Sequence, residues 1–342
     1  MDQPSKRQKP GLVVIRLFCL VNMRPGLQES GSPVQKTDYI GRNQKQRAGF
    51  TLMRIVYHLG AHFTDEERLL KCLLKNRTVL AQHGVVVPGP KRYRNLLRDA
   101  AVQLKGQAAT RDTQALLLDQ IMEEDVAERL ILSWDSFLSL PQWVLKDTLY
   151  PAAGDRVRAF SQIFPEIEAE FHLAIRNPAT FIPALFERHK SKDYKEFLAG
   201  ANPLQLRWSD VIERILNANP DAPLTIWCDE DTPLIWPEVL RTVAGLPEDA
   251  VLEGEGDLLA SLMSGDGHGR MLAYLEGHPP GSFMQRRKIV SAFLDKFALP
   301  ERMDVQVEMP DWTAEYVAEL TANYDQDVAR IIGMGDVTFI AP

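Results

Sequence analysis

The stretch RIVYHLGAHFTDEERLLKCLL, residues 54–74, gathers residue types that handle anions and protons. It holds His58, Gly60, His62 and Thr64, then Asp65, Glu66 and Glu67 in a row. An apolar β-branched run leads into a glycine-bearing turn and then a helix-period stretch. That is the layout of a loop that cradles phosphate on backbone N–H groups at a helix N-terminus. The three carboxylates work against that chemistry. Thr64 and Glu67 have the spacing of a capping box, with Thr64 at the N-cap and Glu67 reaching back to its amide. Acids in a first helical turn also suit the helix dipole, each contributing about 0.3–1 kcal/mol. A phosphate ~4 Å from one such carboxylate would be repelled by about 4 kcal/mol in a medium of intermediate dielectric. The sequence therefore predicts a helix mouth already filled by its own negative groups.

Other residues bear on the same site. His62 lies in the turn, where an imidazole could offer a donor to an anion. His58 ends the preceding run and is expected to hydrogen-bond a neighbouring backbone group. Asp135, in LILSWDSF, ends another apolar run. It could serve as a base for a hydroxyl if burial raised its pKa, or simply cap the DSFLSL segment. Arg176, in FHLAIRNP, could grip phosphate or carboxylate in a bidentate manner, or form an internal ion pair with Asp65 or Glu66. Asp229, Glu230 and Asp231 could line a cleft, but a solvated turn is the expectation. QRRK, residues 285–288, reads as an exposed basic helical face. Asp65, Glu66, Glu67 and His62 could supply hard ligands to Mg²⁺ or Mn²⁺. Consecutive helical residues face different directions, so an acidic cap is expected there and no metal site.

The elements that must position these groups alternate. RIVYH, GVVVP, RLILSW, EFHLAI and PLTIWC read as strands, separated by helix-period stretches at 64–83, 112–128, 179–198, 208–217 and 233–243. Alternation of this kind argues for an α/β fold, a three-layer sandwich with a mainly parallel sheet covered on both faces. Right-handed crossovers then bring the carboxyl ends of the strands, and the residues above, to one edge. Residues 253–280 are Gly-rich and polar, and are expected to form loops with a short helix. Helices follow at 283–297 and 313–332.

The bulk numbers exclude several classes. The chain has 342 residues, 45% hydrophobic and 25% charged, as in ordinary globular proteins. A net charge of −7 offers no global field for nucleic acid. Residues 1–52 carry about +6 and the remainder roughly −13. That first segment, rich in Lys, Arg, Gln, Gly and Pro, is expected to be a disordered basic tail or a misassigned start, with the folded domain over 53–342. The three cysteines, Cys19, Cys72 and Cys228, form no CxxC pair and fit a reducing, cytoplasmic setting. The run at 12–21 is interrupted by Arg16 and is shorter than the ~20 apolar residues of a membrane span.

HLGAHFTDEERLL resembles the phosphosulfate-binding loop of the sulfotransferase family, His-Ile-Gly-x-x-Lys-Thr-Gly-Thr-Thr. His58, Leu59, Gly60 and Thr64 match it. The order of GVVVPGPKRY, FHLAIRNPATFIPALF, PLTIWCDEDTPLIWPEVLRTVAGLP and ANYDQDVARI is similar to later family segments. The resemblance implies a P-loop-related fold and 3′-phosphoadenosine 5′-phosphosulfate as a cofactor. It implies Gly60, Ala61, Thr64 and Arg176 as its binding residues and His62 and Asp135 as catalytic candidates. The acceptor would be a small molecule or glycan. The chain departs from the pattern where the chemistry should be. Phe63 stands at the lysine position, Asp65-Glu66-Glu67 replaces Gly-Thr-Thr, and Ala184 stands where the family usually has serine. Two outcomes stay open: a transferase of sulfuryl groups with an altered site, or a non-catalytic binding or regulatory protein with a self-capped donor site.

Overall fold

The computed structural model describes residues 13–16, 53–124, 126–189 and 193–342. Apolar β-branched runs form the strands and amphipathic stretches the helices. β1 (Val13–Arg16) and β2 (Arg54–His58) precede α1 (Arg68–Lys75) and α2 (Arg77–Gln82). The period of 64–83 therefore hides a break at Asn76. Its side chain donates to the Cys72 carbonyl (2.8 Å) and the Glu253 carbonyl (2.9 Å), and accepts from the Glu253 N–H (2.8 Å). β3 (Val85–Val86), α3 (Pro90–Leu104), α4 (Arg111–Ile121) and β4 (Arg129–Ser133) follow. A small hairpin of β5 (Leu145–Lys146) and β6 (Thr148–Leu149) leads to α5 (Ala153–Ser161).

The second half holds β7 (Glu168–Ile175), α6 (Pro178–Arg188), α7 (Tyr194–Leu198), α8 (Trp208–Ala218), β8 (Leu224–Cys228) and α9 (Thr232–Ala244). The Gly-rich region contains two helices rather than one, α10 (Asp257–Leu262) and α11 (Gly265–Gly277). α12 (Phe283–Phe297), α13 (Pro300–Met303), β9 (Asp304–Val307), α14 (Ala314–Ile332) and β10 (Val337–Ile340) complete the chain.

Six strands form one sheet in the order β10-β8-β7-β2-β4-β3, and every pairing in it is parallel. Alternate side chains point to opposite faces. Ile55, Tyr57, Leu130, Leu132, Phe171, Leu173 and Ile226 pack with α3, α4, α5, α6, α8 and α14. Val56, Ile131, Ala174 and Trp227 pack on the other face with α1, α2, α9 and α10. The fold is α/β, with helices on both faces of the sheet. α1 leaves β2 on one face, while α5 and α6 leave β4 and β7 on the other. The carboxyl end of β2 is thus a switch point, where open α/β sheets form their ligand crevice.

The expectation for 1–52 needs one correction. Val13–Arg16 pairs antiparallel with β9, Val13 opposite Val307 and Arg16 opposite Asp304. Val13 and Ile15 gain partly buried contacts with the core, which favours order over a solvated tail. The rest of that segment, including Cys19, lies outside the described residues; Cys72 and Cys228 are both buried. Among the described residues no helix is long and apolar enough to cross a membrane.

Candidate functional site

The carboxyl ends of β2, β4, β7 and β8 bring together His58 to Thr64, Asp135, Arg176 and Asp229. The strand pairing does not stop at His58. Leu59 N–H donates to the His172 carbonyl (2.8 Å), Ala61 N–H to the Ala174 carbonyl (2.9 Å), and Ala174 N–H to the Gly60 carbonyl (2.6 Å). The segment that a phosphate cradle would arch away from the sheet remains paired to β7. Gly60 sits at φ +93°, and a Cβ there would stand 3.1 Å from Asp135 Cβ. Its missing side chain lets the two strand ends approach closely.

The capping-box expectation is overturned. Thr64 is not the N-cap; its hydroxyl donates to the Ala61 carbonyl (2.8 Å). Glu66 and Glu67 adopt positive φ, at 50° and 61°, so the helix begins only at Arg68. Asp65 does the capping instead. Its carboxylate accepts from Glu67 N–H (3.1 Å) and Leu69 N–H (3.0 Å). Glu67 turns outward to pair with Arg94 on α3 at 2.6 Å, and Glu66 is exposed. The local TDEE pattern fits a capping box, but the long-range pull of Arg94 and the αL backbone decide otherwise.

His62 is buried, 2% exposed, and rests on Tyr150. The Tyr150 hydroxyl lies 2.7 Å from His62 Nδ1 and accepts from the His62 backbone N–H at 3.2 Å. Tyr150 thus holds the ring through Nδ1 and leaves Nε2 as the nitrogen that faces the site. Nε2 has no hydrogen-bond partner, and the Asp135 carboxylate stands 3.8 Å away. Burial lowers the His62 pKa, against the opposing pull of Asp135, and Arg156 lowers it further. His62 thus stands neutral with Nε2 toward Asp135, whose side chain is 45% exposed. Burial pushes the Tyr150 phenol well above its usual pKa, so it stays protonated.

Arg176 pairs with neither Asp65 nor Glu66. Its Nε donates to Thr180 Oγ1 (3.0 Å) and its Nη1 to the Phe63 carbonyl. Asn177 caps α6, accepting from Ala179 N–H (2.9 Å), while its own N–H donates to Glu230 (2.7 Å). Asp229 is partly buried, and burial raises its pKa well above the ordinary value; Arg176 offsets part of that. Sequence reasoning missed two contributors. Tyr150 arrives from 88 positions away and Arg156 from the following helix, and neither belongs to a motif. His58 hydrogen-bonds the Ser133 hydroxyl (2.8 Å), a side chain rather than a backbone group, and stacks on Trp227.

The chain matches no family model and no curated protein sequence.

Three buried histidines give the fold a pH dependence. Burial depresses the pKa of His58, His62 and His172 below their ordinary 6.5. The unfolded chain therefore binds more protons than the native one below that value. Their contribution is complete above the unfolded pKa and is lost as pH falls through the folded values. Asp229, raised by burial, acts in the opposite sense. With three groups against one, the melting temperature is expected to drop between about pH 7.5 and 5.5. A melting temperature that held steady or rose over that range would contradict neutral burial of the three imidazoles.

Proposed function

We propose that the chain is a sulfotransferase-like α/β protein whose donor site is closed from within, and that it works as a binding or regulatory protein. The observation behind this reading is the engagement of Arg176. Its guanidinium donates to the Phe63 carbonyl and to Thr180, and Asp229 stands beside it where a phosphate's charge would be wanted. The neighbouring N–H groups are also occupied, Ala61 by β7 and Glu67 and Leu69 by Asp65. With Phe63 at the lysine position, a bisphosphorylated nucleotide meets a carboxylate, an engaged arginine and no ammonium.

A second reading has one observation in its favour. Asp135 is half-exposed at a strand end, with His62 Nε2 3.8 Å from its carboxylate. In a transferase of sulfuryl groups it would be the base for a small-molecule or glycan hydroxyl, with 3′-phosphoadenosine 5′-phosphosulfate as donor.

One titration separates the two. Adenosine 3′,5′-bisphosphate at millimolar concentration is expected to leave the melting temperature unchanged. An occupied donor site would instead contribute about 2.7 kcal/mol at a hundredfold excess over Kd, a shift easily seen. The variant carrying Phe63→Lys, Asp65→Gly, Glu66→Thr and Glu67→Thr is expected to gain nucleotide binding. If the wild type is strongly stabilised, the closed-site reading fails and the transferase reading stands.

A further inference from the structure

A second cavity lies away from the sheet edge, between α9, the segment before α10, and the start of α12. Its volume is about 290 Å³, and Arg241, Glu255, Phe283 and Arg286 contribute to its wall. It is distinct from the candidate site. Arg129, at the amino end of β4, donates to the Val243 carbonyl (2.9 Å), so the end of α9 that carries Arg241 lies toward the opposite edge of the sheet.

The inner wall of this cavity carries two guanidiniums and one carboxylate, while Glu248 and Asp249 stand at its rim. Arg241 is 8% exposed, donates from Nη1 to the Pro237 carbonyl (2.7 Å), and pairs through Nη2 with Glu255 (2.9 Å). Its Nε is buried and has no partner. Arg286 is half-buried beside the same carboxylate and, among the described residues, makes no ion pair of its own. Burial lowers its pKa, Glu255 opposes that, and Arg241 adds to it. Two guanidiniums thus share one inner carboxylate. Arginine does not escape such a position by losing its proton, and an uncompensated charge away from water is costly. The neighbouring Arg287 does not relieve it, because it pairs with Glu238 on α9 and fastens α12 in place. Of the QRRK stretch, Gln285 and Lys288 are exposed as expected, while Arg286 and Arg287 are half-buried.

We propose that this cavity binds a small phosphate monoester whose far end carries hydroxyl or amino groups. Arg286 presents the forked donors that suit a phosphate group, and Arg241, engaged by the Pro237 carbonyl and Glu255, adds positive charge. Two guanidiniums against one carboxylate leave a single positive charge on the inner wall, which the singly charged form of the ester would neutralise. The rim supplies the second half of the specificity. Glu248 and Asp249 are exposed there and accept hydrogen bonds, which favours a donor-bearing tail and disfavours a polyanion. The volume lies at the small end of the range for ligand pockets.

Calorimetry on the full chain tests this with inorganic phosphate, phosphoethanolamine and ethanolamine as probes. Phosphoethanolamine is expected to bind saturably and more tightly than inorganic phosphate, and ethanolamine not at all. Arg286→Gln is expected to weaken phosphoethanolamine binding by about tenfold or more. Glu255→Gln, which removes the competing carboxylate, is expected to strengthen it about tenfold and keeps the test open should the arginine variant fold poorly. Arg176→Gln is expected to leave it unchanged. No saturable binding, equal binding of inorganic phosphate and phosphoethanolamine, or binding retained in Arg286→Gln overturns the proposal. Binding lost in Arg176→Gln and retained in Arg286→Gln places the anion at the sheet edge, and overturns the closed donor site as well.

Discussion

Glu170→Ala is expected to destabilise the fold by about 3–5 kcal/mol, the range for breaking a buried ion pair from one side. Glu170 lies on the sheet face shared with Val56 and Ala174, and its carboxylate joins three groups. Oε1 accepts from His172 Nε2 (2.7 Å) and from Arg129, and Oε2 from Arg129 Nη1 (3.0 Å) and Arg54 Nη1 (3.1 Å). Burial alone would raise this carboxyl's pKa. The bond from His172 and the Arg129 guanidinium outweigh that and hold it well below the ordinary carboxylate range. Truncation leaves Arg129, whose side chain is 13% exposed, without a countercharge. Glu168→Ala is the control. Its pair with Arg54 (2.8 Å) is about half exposed, and exposed pairs contribute roughly 0–1 kcal/mol. Urea midpoints that fall equally for the two variants would show that the buried network does not carry the stability assigned to it.

Asp327→Ala is expected to cost about 2–4 kcal/mol, through lost capping and orphaned donors together. Asp327 is a buried residue of α14, yet it caps another helix. Its carboxylate accepts from Trp208 N–H (2.6 Å), Ser209 N–H (3.2 Å) and the Ser209 hydroxyl. Arg207, the residue at the N-cap position of α8, provides no side-chain bond there. The loss should also reach the candidate site. Trp208 packs on Tyr150 and donates from Nε1 to the Arg176 carbonyl (2.8 Å). Asp327→Asn keeps an acceptor oxygen and should recover part of the loss. An alanine variant as stable as the wild type in urea would rule out this role for α14.

The strands were legible because β-branched runs flanked by turn residues leave little choice of period. Arg54–His58 and Phe283–Phe297 fall where the sequence places them. Two kinds of feature were not legible. α3 is polar over much of its length and buries only Tyr93 and Leu97, so its apolar signal is weak. β10 joins the sheet as a short edge strand late in the chain, where pattern carries little weight. The site divides in the same way. Gly60, His62, Asp135 and Arg176 stand out through the family resemblance, and their place after apolar runs brings them to one edge of a parallel sheet. What those side chains do could not be read, since it depends on Tyr150, Arg94 and Asp229 arriving from distant parts of the chain.

The break at Asn76 ties the first helical hairpin to the segment before α10 on the same face of the sheet. Its amide grips the Glu253 backbone in both directions, and Lys75 holds Asp257 at 2.9 Å, so the strand of chain carrying Glu255 is clamped between two anchors on the first helical hairpin. The acidic wall of the arginine-lined hollow is therefore hinged to the helix that starts at the switch point.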